Sequence, residues 1–190
     1  LGLFVTPAGG VWGSTFSLTG VLRAGGAALG GRIVRLQRRL ASEDAFRDLR
    51  LATTSADGLF VVQDRPAESA RYRALFEGEA GRGALPPVAA AVVRHGVALN
   101  VPAAPVAVES VAVLGGAVLP PNRGGRVALQ RFSPGSGWRT IATATLDAHS
   151  RYSFRVRKRS AGFLLFRVAA PSGRLWAWNV SANRGVEWTP

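Results

Sequence analysis

Apolar and polar residues alternate over short stretches along almost the whole chain. Phe16-Ser17-Leu18-Thr19-Gly20-Val21 alternates in this way and then meets the turn residues Gly25-Gly26. Between Arg32 and Arg39, Val34 and Leu36 point one way while Arg35 and Gln37 point the other. Tyr72, Ala74 and Phe76 share a face, with Arg71 and Arg73 opposite. Period two marks a half-buried strand. Asp57-Gly58 before Leu59–Val62 is a hairpin signal, because glycine tolerates positive φ. In the second half, Val111–Val118 reads as a strand and Pro120-Pro121-Asn122 as a turn. Val127 and Leu129 then face inward, as do Tyr152, Phe154 and Val156, and Phe166 and Val168. The counterpart of the Asp57-Gly58 turn reads as a longer loop, Asp147-Ala148-His149-Ser150, and the last strand as Leu175–Val180. Ser42–Leu49, with acidic Glu43, Asp44 and Asp48, reads as a surface loop holding at most one helical turn.

The strands come in two matching series. Leu36-Gln37-Arg38 returns as Leu129-Gln130-Arg131, Leu51-Ala52-Thr53 as Ile141-Ala142-Thr143, and Arg71-Tyr72-Arg73-Ala74 as Leu165-Phe166-Arg167-Val168. Asp57 and Asp147 follow the second pair. The offsets are 93, 90 and 94 residues. A period of ~90 residues is too long for a solenoid unit and fits one small β-sandwich. The predicted fold is therefore all-β: two tandem immunoglobulin-like β-sandwich domains, residues 1–96 and 97–190, the second with a short C-terminal tail. They join near Arg94-His95-Gly96 with almost no linker.

The order of these motifs carries a resemblance. A G-x-V-x-LQR strand, a strand ending in T-x-(S/T)-x-D, an aromatic-rich strand and then R-Y-R-A resemble the immunoglobulin-like modules of secreted and surface proteins of actinobacteria. Carboxypeptidase-regulatory-like and collagen-adhesin B-type modules share some of this pattern. The resemblance implies a spacer, stalk, adhesive arm or assembly unit outside the cell, secreted or at the cell surface. It brings no catalytic residues and no cofactor.

Composition narrows the chemistry. The chain has no cysteine, which excludes a disulfide, a thiolate metal site and a cysteine nucleophile. No apolar run approaches ~18 residues without a charge or turn residue, so no membrane span is expected. The chain starts at Leu1 rather than Met, as a processed chain or a fragment does. His95 and His149 lack partners at metal-ligand spacing, so no metal site is predicted. Asp147, His149 and Ser150 are neighbours on one turn, whereas a catalytic triad converges from separate elements. An intramolecular isopeptide bond needs a lysine, and the one lysine, Lys158, has no counterpart in the first copy. The expected function is thus non-enzymatic: a structural or adhesive module pair of a cell-surface protein or filament. The alternatives are a binding module for an anionic polymer, such as a wall polysaccharide or nucleic acid, and a β-sandwich appendage of a secreted enzyme.

Charge singles out the second half. The net charge is +13. Residues 1–96 hold twelve bases against eight acids, and residues 97–190 twelve against three. A GC-rich genome accounts for arginine over lysine but not for bases over acids. Arg151, Arg155, Arg157 and Arg159 alternate opposite Tyr152, Phe154 and Val156, and Arg167 is expected on a nearby strand of the same outer face. Such a row grips phosphates or carboxylates; it also reads simply as a solvated face or an edge guard. Trp176 and Trp178 are expected in the core with Val180, Trp138 is expected to face inward, and Trp188, in the tail Asn183–Pro190, is the candidate assembly contact. The run Pro86–Val113 is apolar with only Arg94 and Glu109 charged. Together with Trp188 it predicts contact between copies of the chain, through an edge strand or the C-terminal tail.

Overall fold

The computed structural model describes residues 1–78 and 87–190; Pro86, the start of the apolar run, lies outside them. Every regular element among the described residues is a β-strand. The chain divides into two compact units. Unit 1 is Leu1–Arg94 with Arg174–Ala177, and unit 2 is His95–Gly173 with Trp178–Pro190.

Unit 1 contains β1 (Gly2–Thr6), β2 (Gly9–Val11), β3 (Phe16–Val21), a short hairpin of β4 (Arg23–Ala24) and β5 (Ala27–Ala28), β6 (Ile33–Leu40), β7 (Arg47–Thr53), β8 (Leu59–Asp64), β9 (Ala70–Leu75) and β10 (Val88–Arg94). One sheet runs β1-β3-β8, the other β2-β10-β9-β6-β7. Period two fills the space between them. Phe16, Leu18, Val34, Leu36, Tyr72 and Val93 are fully buried, and Phe76 packs half-buried against them. Arg174–Ala177 completes this unit. The Leu175 carbonyl accepts from Ser69 N–H and Ala177 N–H donates to Val93. Trp176 packs on the core while its indole N–H donates to the Ala67 carbonyl at 3.0 Å. Leu175–Val180 is therefore not the last strand, and Trp178, 58% exposed, is not in a core.

Unit 2 contains β11 (Gly96–Val97), β12 (Val106–Ala107), β13 (Val111–Leu119), β14 (Arg126–Ser133), β15 (Gly137–Thr145), β16 (Arg151–Arg157), β17 (Gly162–Ala170), β18 (Asn179–Val180) and β19 (Arg184–Thr189). Its sheets are β11-β13-β16 and β12-β19-β17-β14-β15, with β18 also pairing β17. Val127, Leu129, Phe154 and Phe166 lie in its core.

The two units share one topology. In each, the short second strand leaves the first sheet and pairs in parallel with the last strand: β2 with β10, β12 with β19. Two antiparallel sheets with this crossing define an immunoglobulin-like sandwich. The chain is all-β, two tandem immunoglobulin-like modules. Even the irregularity repeats: a β-bulge falls after Leu36 in β6 and after Leu129 in β14. In unit 1 it turns Leu49 toward the core, where it packs half-buried. Residues 47–49 accordingly belong to β7 and not to a loop.

The turn before β8 and β16 has the same length in both units, contrary to the expected longer loop. Gly58 N–H donates to Ser55 and Ser150 N–H to Asp147. The counterpart of Asp147 is therefore Ser55, not Asp57. Gly58 (φ 74°) and Ser150 (φ 57°) occupy the same left-handed position.

Candidate functional site

Strand β16 builds the cationic row. Tyr152 and Phe154 are buried and Val156 half-buried, so the intervening Arg151, Ser153, Arg155 and Arg157 are turned outward and exposed. Arg155 and Arg157 stand ~7 Å apart along the strand. Across the ladder they face Val113 and Val111, while Arg151 faces Ala117. No acidic residue lies on β13 or β16. Beside β13 an open trough of about 660 Å³ is lined by Asn100, Pro102, Pro105, Val106, Val111 and Val113, among others. The face thus combines guanidinium groups with an apolar floor. Arg159 lies beyond the strand, in a turn that the Lys158 ammonium holds by donating to Ser160 Oγ and the Ala161 carbonyl. Its Nε is 4.0 Å from Glu109, with both side chains exposed, a pairing of little strength.

Arg167 does not join this row. It lies on β17, in the opposite sheet of the sandwich, because strand period fixes a face but not which sheet a strand enters. There its Nε donates to Gln130 Oε1 at 2.7 Å and its guanidinium lies 4.3 Å from the Trp138 ring centroid. Trp138 in turn packs edge-on against Phe132. Trp138 therefore covers an outer face and is not inward. Unit 1 repeats the device: Arg73 Nε donates to Gln37 Oε1 at 2.6 Å and stacks 4.4 Å from Phe46. The glutamine of each LQR motif is a clamp for an arginine across the ladder. Sequence reasoning found the motif but not this role, which depends on the pairing of β6 with β9 and of β14 with β17.

Trp188 is not a tail residue. It sits on β19, paired with β17 on one side and β12 on the other. It is 1% exposed and lies edge-on to Phe166 at 6.4 Å. Val186 and Trp188 alternate with Gly185 and Glu187, and that period-two signal identifies the strand. A core side chain is not available to dock on a neighbour, so Trp188 is not an assembly contact.

The remaining polar groups serve the fold. Asp147 Oδ1 accepts from the backbone N–H of His149 and of Arg151, both at 2.8 Å. These bonds hold its carboxyl below the usual carboxylate range. Ser150 Oγ accepts from Asn122 N–H at 2.6 Å. Inside unit 1, Arg38 Nη1 donates to both oxygens of Asp64 at 3.0 and 3.1 Å. Tyr72 donates its hydroxyl to the same carboxylate at 2.8 Å. Burial and this bond to an anion push the phenol up. Burial also holds His95 below the ordinary histidine value, opposed by a hydrogen bond to the Leu119 backbone. Among the described residues no three His, Asp or Glu side chains are placed to hold a metal ion.

No family profile and no curated protein matches this chain. Among solved structures, the tetra-tandem repeat from the extending region of a large adhesion protein is 17% identical, with 98% of this chain and 48% of that one covered and a TM-score of 0.46. A 282-residue C-terminal fragment of intimin, solved with the intimin-binding domain of the translocated intimin receptor, is 10% identical over 98% and 62% (TM-score 0.49). The Yersinia pseudotuberculosis adhesin InvE is 16% identical over 99% and 58% (TM-score 0.42). The chain spans from about half to three-fifths of the length of these structures. The class assignment rests on the strand order of the two units.

Proposed function

We propose that the chain is a non-enzymatic pair of immunoglobulin-like modules from an extracellular surface protein, with a structural or adhesive role. One observation carries the reading. The two units repeat the same strand order and the same bulge, yet the equivalent outer faces differ: Leu59, Val61 and Gln63 on β8 correspond to Arg151, Ser153 and Arg155 on β16. Outward side chains at these positions are not needed for the sandwich, so the difference is free to serve recognition. The work of such a module is done on sheet faces.

The arginine row favours a specific form of adhesion, capture of an anionic polymer along β16. Guanidinium groups at strand spacing pair with carboxylates or phosphates, and the apolar trough beside β13 suits the ring faces of a sugar chain. The test is retention of the chain on surfaces coated with a polyuronate, with polyphosphate, or with a neutral glycan. Retention on the charged surfaces alone, lost in Arg155→Ala/Arg157→Ala, is the expected result. Equal retention on all three, or no effect of the double substitution, rules out capture through this row.

A further inference from the structure

Each unit leaves an edge of its three-stranded sheet open, because among the described residues β8 pairs only β3 and β16 only β13. The phase of each ladder tells which residues face that edge. Leu22 N–H donates to Gly58 at 2.8 Å and Val118 N–H to Ser150 at 3.0 Å. In both antiparallel ladders the hydrogen-bonded pairs therefore fall on the even-numbered residues of β8 and β16. The odd-numbered residues turn their N–H and C=O outward. Leu59 uses both groups on Ser55, its N–H reaching the hydroxyl oxygen and its C=O accepting from the backbone. Arg151 does the same with Asp147. Open groups remain on Val61 and Gln63 of β8, and on Ser153, Arg155 and Arg157 of β16.

The two edges are treated in opposite ways. On β16 two of the three open positions carry arginines, which repel a second copy and guard the edge. On β8 they carry valine and glutamine. Along its strands the outer face of that sheet is uncharged: Gly2, Phe4 and Thr6 on β1, Ser17, Thr19 and Val21 on β3, and Leu59, Val61 and Gln63 on β8, with Arg65 just past the end of β8, where its guanidinium donates to Thr15 Oγ1. Phe4 is 65% exposed and Val61 61%. In a chain of net charge +13, an uncharged face of this size is where two copies meet with least repulsion.

We infer that the β8 edge of unit 1 is the site where a second copy of this chain adds, antiparallel and about a two-fold axis. Setting Val61 against Gln63 of the second copy satisfies all four open backbone groups of each copy. It merges two three-stranded sheets into one of six and extends the apolar strip of Leu59 and Val61 across the seam. This contact is independent of the anionic ligand.

Sedimentation velocity of the full chain up to about 1 mM tests it, at low salt and at about 0.5 M. The expected result is a reversible dimer that added salt leaves unchanged or tightens, since salt screens the repulsion between basic copies. Val61→Lys, at an exposed position, should leave the melting temperature unchanged and weaken the dimer by about tenfold or more. Ser153→Lys, at the equivalent place on β16, and Arg155→Ala/Arg157→Ala should leave the dimer intact. A monomer throughout, a dimer indifferent to Val61→Lys, or a monomer that instead binds neutral lipid vesicles through this face overturns the proposal. A wild-type chain that dimerises but is not retained on the charged surfaces counts against the arginine row alone.

Discussion

Ser150 holds a left-handed backbone while its hydroxyl oxygen accepts from Asn122 N–H, whereas Gly58 holds it with no side chain. A Cβ on Gly58 would meet the Leu22 carbonyl oxygen at 2.4 Å. Gly58→Ala should therefore destabilise unit 1 by about 1–3 kcal/mol; an unchanged denaturation midpoint contradicts this. Asp64 accepts from Arg38 and Tyr72 inside the same unit, and the Arg38 side chain is part-exposed, so Asp64→Ala, read from the denaturation midpoint, should cost about 1–3 kcal/mol, most of it from the buried phenol left without its acceptor. In unit 2 the places of Asp64 and Tyr72 fall to Val156 and Phe166, and no such triad exists. His95 makes stability depend on pH. Burial lowers its folded pKa below the ordinary 6.5. The unfolded chain thus takes up a proton that the folded chain refuses. Stability is full above pH 6.5 and falls as the pH drops from there through the folded pKa. Thermal melts of wild type should lose stability as the pH is lowered from 7 past 6.5, and His95→Gln should lose less; identical curves would exclude His95 as the cause.

At the scale of elements, β16 and β19 show what a sequence pattern tells and what it omits. Four alternations around Tyr152 and Phe154 were enough to place Arg151, Arg155 and Arg157 outward. The same reasoning could not place Arg167, because membership of a sheet is decided by pairing distant in sequence. Strand β19 was hidden by a competitor. Leu175–Val180 is richer in large apolar residues than the tail, yet Trp176 folds with unit 1 and Trp178 faces water. The quieter alternation of Val186 and Trp188 forms the strand that closes the second sheet. Trp188→Ala should cost about 3–5 kcal/mol, as for a buried aromatic. A loss below ~1 kcal/mol, within the range of surface substitutions, would mean that the tail is dispensable. The glutamine clamps on Arg73 and Arg167 were visible only as a repeated LQR, since their role appears when β6 meets β9 and β14 meets β17.

Over the whole molecule, charge and duplication together assign the surfaces. Two interiors of one design carry a net +13, and the bases fall on sheet faces with few acids to offset them in unit 2. On the proposed reading that field attracts anionic polymers, and β16 is the place where they would be held. An uncharged ligand would make no use of this row. The direct measurement is the affinity of the chain for a polyuronate or polyphosphate as a function of salt. The account predicts that log K falls linearly with log salt, and that Arg155→Ala/Arg157→Ala lowers the slope by about 2, one released counterion for each guanidinium lost. An affinity that ignores salt, or a slope unchanged by the double substitution, would contradict it.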